Sequence, residues 1–201
     1  MKPRRKPIAL RKPDHFPADQ VLTGLDAARL QALGPDFEQF RFVGCELAEA
    51  DLSGLRFEDC LFERCNLSTA KLGGTALQNV AFADCKLLGV PFAACQDMLF
   101  GVHFDGCQLR YASFAGKRLA GTRFAQCTLD EADFTNADLS GASFAGCDLT
   151  RASFHNTLLA GADFTTATNY ALDPEANVLA GARFALAGLP GLLAKYDLVV
   201  E

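Results

Sequence analysis

The sequence predicts an all-β solenoid whose coils have four short sides, and three observations lead to this prediction. Phe or Leu recurs at every fifth residue from Phe37 to Phe92, and again from Leu99 to Phe164. Five residues is the period of neither a helix nor a flat strand. The Phe and Leu positions also sort by a second period of 20 residues, and glycine recurs with that same period. Four repeats therefore form one coil, and stacked coils are expected about 4.8 Å apart.

The 20-residue period arranges the central Phe and Leu residues in columns that we expect to point inward. One column consists entirely of phenylalanine: Phe42, Phe62, Phe82, Phe104, Phe124, Phe144, Phe164 and Phe184. Another is mostly leucine: Phe57, Leu77, Leu99, Leu119, Leu139, Leu159 and Leu179. Because a single coil cannot bury its apolar interior, the columns must stack on one another.

The eight cysteines all lie two residues before a central position, where a small inward-facing side chain is expected. They are Cys45, Cys60, Cys65, Cys85, Cys95, Cys107, Cys127 and Cys147. A buried free cysteine behaves as a small apolar residue, so a structural role is favoured over a redox or metal-binding one. No Cys-x-x-Cys pair occurs, and we expect free thiols and no metal site.

A column of glycines predicts corners that need a positive φ angle. Its members are Gly101, Gly121, Gly141, Gly161 and Gly181, each two residues after a central position. Asp59 and Asn79 hold the same column in earlier coils. Glycine, and less readily Asp or Asn, adopts the left-handed conformation that such a turn requires.

The pattern divides the chain into four segments. A basic mobile tail is expected over residues 1–24, an N-terminal cap over 25–35, the repeat region over 36–168 with a slip at 95–99, and a C-terminal loop, last partial coil and dimerisation segment over 169–201. The cap contains a predicted helix over 25–33 that ends at Gly34. A second short helix is expected to start at Pro190. At the slip, Met98 and Phe100 are expected to point outward.

Charge and composition exclude several classes of function. Residues 1–35 carry seven Lys or Arg and three Asp or Glu, whereas residues 36–164 carry ten and seventeen. An acidic body is unsuited to direct nucleic-acid binding. No segment is apolar enough to cross a membrane, and the apolar stretch after the basic N-terminus is too short for a signal peptide, so a cytoplasmic protein is expected. The predicted interior is closed and no catalytic cluster is recognisable, so we expect neither an enzyme nor a cofactor.

Three stretches carry a resemblance to a known family. "ADLSG" (50–54), "ADFTNADLSGASF" (132–144) and "ADFTT" (162–166) resemble the pentapeptide repeat motif A(D/N)LXX. The resemblance covers roughly residues 36–166. It implies a right-handed quadrilateral β-helix of about seven coils.

A narrower resemblance concerns the C-terminal part of the chain. The stretch from "FHNTLLAGADF" to "LLAKYDLVV" is similar to the topoisomerase-protecting members of the family, of the Qnr, MfpA and albicidin-resistance types. This resemblance implies a two-fold dimer made by the C-terminal segment. It also implies an acidic rod as wide as duplex DNA that occupies the DNA-binding saddle of DNA gyrase or topoisomerase IV. Such a protein inhibits the enzyme or protects it from a poison, which gives antibiotic resistance, including quinolone resistance.

The sequence supplies candidate residues for the partner-binding surface and for the dimer interface. Between Arg123 and Arg151 there is no basic residue but there are five acids, which we take as the partner-binding surface: Asp130, Glu131, Asp133, Asp138 and Asp148. The simpler interpretation is that Asp suits an outward position of the motif and keeps the protein soluble. The residues expected to form the homodimer are Leu189, Leu192, Leu193, Tyr196, Leu198 and Val199.

A second hypothesis remains open beside DNA mimicry. The protein would then be a non-enzymatic interaction scaffold that contacts an unidentified partner through the slip or the tail. Exposed apolar side chains at the slip would mark such a contact.

Overall fold

The computed structural model describes residues 17–196 and residue 198. Twelve short strands form two parallel sheets. In chain order they are β1 (Val21–Thr23), β2 (Asp36–Glu38), β3 (Arg41–Val43), β4 (Arg56–Glu58), β5 (Leu61–Glu63), β6 (Ala76–Gln78), β7 (Val80–Ala83), β8 (Val102–Asp105), β9 (Arg123–Ala125), β10 (Ser143–Ala145), β11 (Asp163–Phe164) and β12 (Arg183–Phe184). The first sheet has the order β1-β3-β5-β7-β8-β9-β10-β11-β12, and the second has the order β2-β4-β6.

The sheets form two sides of a four-sided β-helix. We name the sides A to D in chain order: side A contains the nine-stranded sheet, and side D contains β2, β4 and β6. Sides B and C are joined coil to coil by isolated parallel bridges, such as Glu46 with Asn66 on side B. Partners are 20 residues apart in most coils, for example Phe124 opposite Phe144. The nine strands of side A mark about eight turns, so the predicted seven coils were one too few.

The solenoid begins earlier than the sequence pattern suggested. Strand β1 pairs with β3, so residues 21–23 belong to the first coil and not to a tail. Residues 1–16 of the predicted tail lie outside the described residues. In this first coil Asp26 still pairs with Glu46 on side B, and helix α1 (Ala27–Ala32) takes the place of side C. The Asp26 carboxylate caps the helix by accepting a hydrogen bond from Arg29 N at 2.9 Å. The predicted N-terminal cap is therefore part of the first turn.

The core consists of stacked side chains, as the 20-residue period predicts. Phe124 stacks on Phe104 and on Phe144, with ring centroids 5.2 Å and 5.1 Å apart. A second phenylalanine stack runs along side C and meets the first edge to face, as Phe134 does with Phe124 at 5.7 Å. Every predicted central residue from Phe37 to Phe164 is buried except Leu99.

The two-residue slip explains that exception. Leu99 is 57% exposed and Met98 is 79% exposed, so the prediction that Leu99 faces the core was wrong. Phe100, predicted to point outward, instead packs partly buried against the core in the place of Leu99. The insertion thus projects as a bulge formed by residues 96–100, and the Gly101 amide rejoins the ladder by donating to the Leu77 carbonyl at 2.9 Å.

Left-handed residues occupy the corners of nearly every repeat, and not only the glycine column. Gly121 and Gly141 have φ angles of 72° and 66°, as predicted, and Asn79 has 53°. Thr69 and Arg151 adopt the same conformation at other corners. Gly101 does not, because the bulge shifts the left-handed residue to Leu99. The corner geometry is therefore a property of the five-residue side, which tolerates residues other than glycine.

The buried cysteines supply hydrogen-bond donors as well as small size. The Cys65 thiol donates to the carbonyl of Phe42, and the Cys85 thiol to that of Phe62, both at 3.4 Å. Thr75 makes the same bond with its hydroxyl, to the Leu52 carbonyl at 2.8 Å. All eight cysteines are free and buried. These side chains therefore add hydrogen bonds to backbone carbonyls inside the solenoid; the Leu52 carbonyl, for example, also accepts from the Leu55 amide at 3.2 Å.

Candidate partner-binding surface

Three of the five predicted acidic residues are held in the same local geometry. The carboxylates of Asp133, Asp138 and Asp148 each accept a hydrogen bond from the backbone amide two residues later, at 2.9 Å, 3.0 Å and 3.1 Å. Each aspartate directly precedes a central Phe or Leu and remains partly exposed. The bond satisfies a backbone amide on sides that lack a full strand ladder. Asp therefore has a structural reason to occupy this position.

These three carboxylates carry negative charge without a basic partner. None of the ion pairs in the described part of the chain includes them. Hydrogen bonds from Asn169 and Thr150 lower the pKa of Asp148 below its ordinary value, which favours the ionised form. Since one carboxylate oxygen of each aspartate is fixed by the backbone, the charges have defined positions on the surface.

The other two acidic residues are neutralised by arginines from neighbouring coils. Arg110 lies one coil before them, and its Nε is 2.9 Å from Asp130 Oδ2. Arg151 lies one coil after them, at 2.9 Å from Asp130 Oδ1 and 2.8 Å from Glu131 Oε1. These carboxylates raise the pKa of Arg151. The linear sequence suggested uncompensated charge here, but the coils bring the arginines onto both acids.

The unpaired carboxylates form a belt around the solenoid and not a stripe along it. Asp133 lies on side C, Asp138 on side D and Asp148 on side B, within two successive coils. Side A carries an ion pair one coil further on, between Arg183 and Asp163 at 3.3 Å. We call Asp133, Asp138 and Asp148 the acidic belt.

The predicted dimerisation segment forms an exposed apolar end. Helix α2 (Pro190–Leu193) starts at Pro190 as predicted. Leu189, Leu193, Tyr196 and Leu198 are 40%, 39%, 50% and 59% exposed. Leu192 instead packs against the core, and Val199 lies outside the described residues. Leu186, which the sequence prediction omitted, is the most exposed of these residues at 84%.

Lys195 ties this end to the last coil. Its ammonium group lies 2.7 Å from the Asp173 carboxylate and 2.6 Å from that of Glu175. The Tyr196 hydroxyl also donates to Glu175, at 3.1 Å. The apolar side chains of α2 are therefore presented on an anchored element.

Two surface cavities of about 500 Å³ are lined by described residues. One lies at the N-terminal end on side D, and the other lies beside Tyr170 under α2. Neither is lined by a Ser, Cys or His. Across the described chain, no group of three or more His, Cys, Asp or Glu is arranged to hold a metal ion. Among the same residues, no helix has the length and apolar character needed to span a membrane.

A family comparison agrees with this geometry. The model of the pentapeptide repeat region matches residues 35–114 and 90–164. The chain belongs to the pentapeptide repeat family. Its matched range begins at β2 and ends at β11, so it covers most of the coils of this pentapeptide repeat protein. The right-handed quadrilateral β-helix predicted from the resemblance is the fold observed.

A solved structure of another pentapeptide repeat protein shares this fold. A trypsin-treated variant of QnrB1, described as a plasmid-mediated fluoroquinolone resistance protein, is 18% identical with a TM-score of 0.62, over 90% of this chain and 89% of that chain. Full-length QnrB1 is 19% identical with a TM-score of 0.44, over 89% and 97%. HetL from the cyanobacterium Nostoc is 19% identical with a TM-score of 0.24, over 80% and 93%. A comparison with curated proteins found no match.

Sequence reasoning missed two features of this pentapeptide repeat protein that its own period could have revealed. Arg110 and Asp130 are 20 residues apart, as are Glu131 and Arg151, so the coil period places each pair side by side. Outside the slip, Lys117 is the one charged residue found two positions before a central residue, where the other side chains of the regular repeats are uncharged. That position faces the interior, so a buried lysine was predictable.

Proposed function

We propose that this pentapeptide repeat protein is a non-enzymatic mimic of DNA that binds a type II topoisomerase, DNA gyrase or topoisomerase IV. The observation that carries the proposal is the acidic belt. Its three carboxylates have fixed positions, lack basic partners in the described structure and lie on three of the four sides of a narrow solenoid. Duplex DNA presents negative charge around its whole circumference, and the belt resembles it on these three sides.

Electrostatics supports a protein partner with a basic groove. The Lys and Arg side chains of a DNA-binding groove are placed to meet phosphates, and carboxylates at similar positions complement the same potential. Association of this kind is steered by charge and weakens as salt concentration rises. Asp130 and Glu131 contribute less, because Arg110 and Arg151 already compensate them.

The exposed C-terminal end supports a homodimer. Leu186, Leu189, Leu193 and Tyr196 form an apolar surface at the end of the last coil. About eight coils at about 4.8 Å each give a solenoid about 38 Å long. Two copies joined end to end would span about 75–80 Å, close to two helical turns of duplex at about 34–36 Å each. The acidic belt would then lie on the half of each subunit nearer the two-fold axis.

The biological outcome that we propose is protection of the topoisomerase from a poison, in the cytoplasm. QnrB1, which shares the fold, is described as a fluoroquinolone resistance protein. At 18% identity this likeness concerns the fold. The proposal for this chain therefore depends on the acidic belt and on the test below.

Direct binding to purified gyrase, measured with and without competing duplex DNA, tests the proposal. We expect mutually exclusive binding and a dissociation constant that rises steeply with salt. The triple variant Asp133→Asn, Asp138→Asn, Asp148→Asn should weaken binding at least about 10-fold. A control with the same change of charge at the opposite end, Glu46→Gln, Glu49→Gln, Asp51→Asn, should change it less than about 3-fold. Binding that DNA does not displace would contradict mimicry.

One observation favours a second candidate, an interaction scaffold that uses the bulge. Met98 and Leu99 expose large apolar side chains on an element that interrupts an otherwise regular surface. Met98→Ser with Leu99→Ser would abolish partner binding under this hypothesis. Under the mimicry hypothesis the same change leaves the salt-dependent affinity for gyrase within about 3-fold of the wild type.

A further inference from the structure

His103 lies at the middle of the nine-stranded sheet of side A, and the function proposed above does not use it. It belongs to β8, the fifth strand in the order of that sheet. We propose that His103 makes the contact between β8 and β9 sensitive to pH: a neutral imidazole joins the two coils, and a protonated one loosens them. The inference is independent of the topoisomerase proposal. It rests on a side-chain hydrogen bond that enters the ladder between two strands.

The His103 ring accepts a hydrogen bond from the backbone of the next coil. Its Nδ1 atom lies 3.1 Å from the amide nitrogen of Arg123, which is the donor. The register of β8 and β9 has a matching irregularity: Phe104 pairs with Phe124, but the preceding residues, His103 and Arg123, are not a pair. The ring therefore supplies an acceptor to a strand amide at the point where the backbone pairing is interrupted.

The interruption belongs to this junction and not to either strand. On the other edge of β8, His103 pairs with Ala81 of β7. On the other edge of β9, Arg123 pairs with Ser143 of β10. Two coils earlier, the residues at the same position, Leu61 and Ala81, also pair. The pairing is therefore lost where the imidazole meets the Arg123 amide.

Burial and charge both favour the neutral ring. His103 is partly buried, and desolvation lowers its pKa below the ordinary value; the Arg123 guanidinium lowers the pKa further. On the outward face of β7, Ala81 and Ala83 are uncharged. On β8 itself, the Asp105 carboxylate lies 3.5 Å from Arg123 Nη2. Arg123 and Asp105 are thus the charged groups on the outward faces of β7, β8 and β9, and they pair with each other.

A protonated ring cannot make this hydrogen bond. Imidazolium carries hydrogen on both ring nitrogens and has no acceptor. It would also place a second positive charge beside the Arg123 guanidinium, and like charges disfavour the charged form. Protonation of His103 therefore requires its ring to separate from the Arg123 amide, and the contact between the two coils opens at this point.

The sign of the pH dependence follows from linkage between protonation and opening. In an open, hydrated contact the histidine has its ordinary pKa of about 6.5, whereas in the closed contact the pKa of His103 is lower. The closed contact is therefore fully favoured above about pH 6.5 and is lost as the pH falls toward the lowered value. Each pH unit below about 6.5 favours the open contact by at most about 10-fold, which gives at most about 30-fold at pH 5.

The position of the contact determines which part of the molecule responds to acid. Four strands of the side A sheet precede β8 in the sheet order, and four follow it. Only Gly101 separates β8 from the bulge of residues 96–100. Acid would therefore loosen the coil that carries the bulge, near the middle of the solenoid, and not one of its ends.

Hydrogen exchange of the full chain, measured at the Arg123 amide, tests the proposal. Protection factors correct for the intrinsic effect of pH on exchange. For this amide the protection factor should fall at least about 5-fold between pH 7.5 and pH 5.0. The Ser143 amide, which holds the same position one coil later and donates to the Thr122 carbonyl, should change less than about 2-fold. Nitrogen-15 NMR at pH 7.5 should show a His103 ring with its hydrogen on Nε2.

Two variants separate the titration from the hydrogen bond. His103→Asn keeps an acceptor close to the position of Nδ1 but does not titrate, so the Arg123 amide should remain protected at both pH values. His103→Leu has no acceptor, so protection should be reduced at both. His155→Asn changes an exposed histidine on side C and is the matched control, which should keep the pH dependence of the wild type.

Three results would overturn the proposal. The first is an Arg123 amide that is equally protected at pH 7.5 and pH 5.0 in the wild type. The second is a His103 ring with its hydrogen on Nδ1 at pH 7.5, because such a ring cannot accept from the amide. The third is a loss of protection in His103→Asn as large as in the wild type, which would assign the pH dependence to another group.

Discussion

The ammonium group of Lys117 lies inside the solenoid, 2.7 Å from the carboxylate of Asp97 in the preceding coil. Lys117 is 2% exposed, and it also donates to the Cys95 carbonyl at 2.5 Å. Its charge lies 5.2 Å from the centre of the Phe100 ring. Lys117 and the bulge of residues 96–100 therefore form a single unit. The lysine side chain makes contacts in the interior that replace those disrupted by the bulge.

Replacing Lys117 by Met should destabilise the protein. The change keeps the length of the side chain but leaves the Cys95 carbonyl buried without a donor, which typically costs about 1–3 kcal/mol. Urea unfolding followed by circular dichroism measures the difference. Asp97→Asn is the control: Asp97 is exposed, and an exposed partner contributes less than about 1 kcal/mol. Equal losses in both variants would contradict the assigned role of Lys117.

A deletion that removes the bulge tests whether Lys117 is needed only because the bulge is present. Removing Asp97 and Met98 leaves "CQLFG", a regular five-residue repeat with Leu99 at its centre. Combined with Lys117→Ala, this variant should unfold at the same urea concentration as the wild type or a higher one. A large loss of stability would mean that the bulge has no regular alternative.

The phenylalanine stack should be most sensitive at its middle. Phe124 is completely buried and contacts rings above, below and beside it. Phe124→Ala should therefore cost about 3–5 kcal/mol, since it removes contacts and leaves a cavity. Phe184 occupies the last rung and is only partly buried, so Phe184→Ala should cost clearly less. Chemical unfolding of both variants would reveal a difference, and equal costs would contradict a continuous stack.

Two glycines of one column should respond differently to alanine. Gly121 has a φ of 72° with no atom within 4 Å of an added Cβ, so Gly121→Ala introduces backbone strain of about 1–2 kcal/mol without a clash. Gly101 lacks the positive φ, and an added Cβ would lie 3.4 Å from Asn79 N, an ordinary contact. Gly101→Ala should therefore be nearly neutral in thermal melting. A larger loss for Gly101→Ala than for Gly121→Ala would contradict the assigned corners.

Acid should destabilise the fold through its hydrogen-bonded aspartates. Hydrogen bonds from Asn169 and Thr150 lower the pKa of Asp148, and Thr165 lowers that of Asp163. A lowered pKa in the folded state gives stability that is present above the unfolded value of about 3.9 and is lost as the pH falls through the folded value. Asp148→Asn should therefore reduce the dependence of melting temperature on pH below about pH 5. An unchanged pH profile would contradict this contribution.

The sequence was most informative where a period could be counted. The positions from Phe42 to Phe164 follow from a 20-residue repeat of one residue type, so the core and the fold were predictable. Leu99 was not, because a two-residue insertion can project at several places and only packing decides that Phe100 fills the core. The ion pair between Arg110 and Asp130 was predictable in principle, because the two residues are 20 positions apart and therefore lie side by side on neighbouring coils. It was missed because charges were counted along the linear sequence.

The partner surface was less predictable than the fold because it depends on charge balance in three dimensions. Asp133 and Asp130 are equivalent in a linear count of acids, yet one is free of ion pairs in the described structure and the other lies between two arginines. Leu192 and Leu193 are neighbours in an apolar stretch, but only Leu193 is exposed enough to contact another copy. Such distinctions need the coil register and the orientation of α2.

A gyrase supercoiling assay, performed with purified protein in the presence and absence of a fluoroquinolone, tests the central claim most directly. We predict that the wild type relieves the drug's inhibition at micromolar concentration, or inhibits supercoiling when no drug is present. The acidic-belt triple variant should lose this effect, while the matched variant Glu46→Gln, Glu49→Gln, Asp51→Asn retains it. A wild type without effect in either condition, or a triple variant as active as the wild type, would contradict DNA mimicry by the acidic belt.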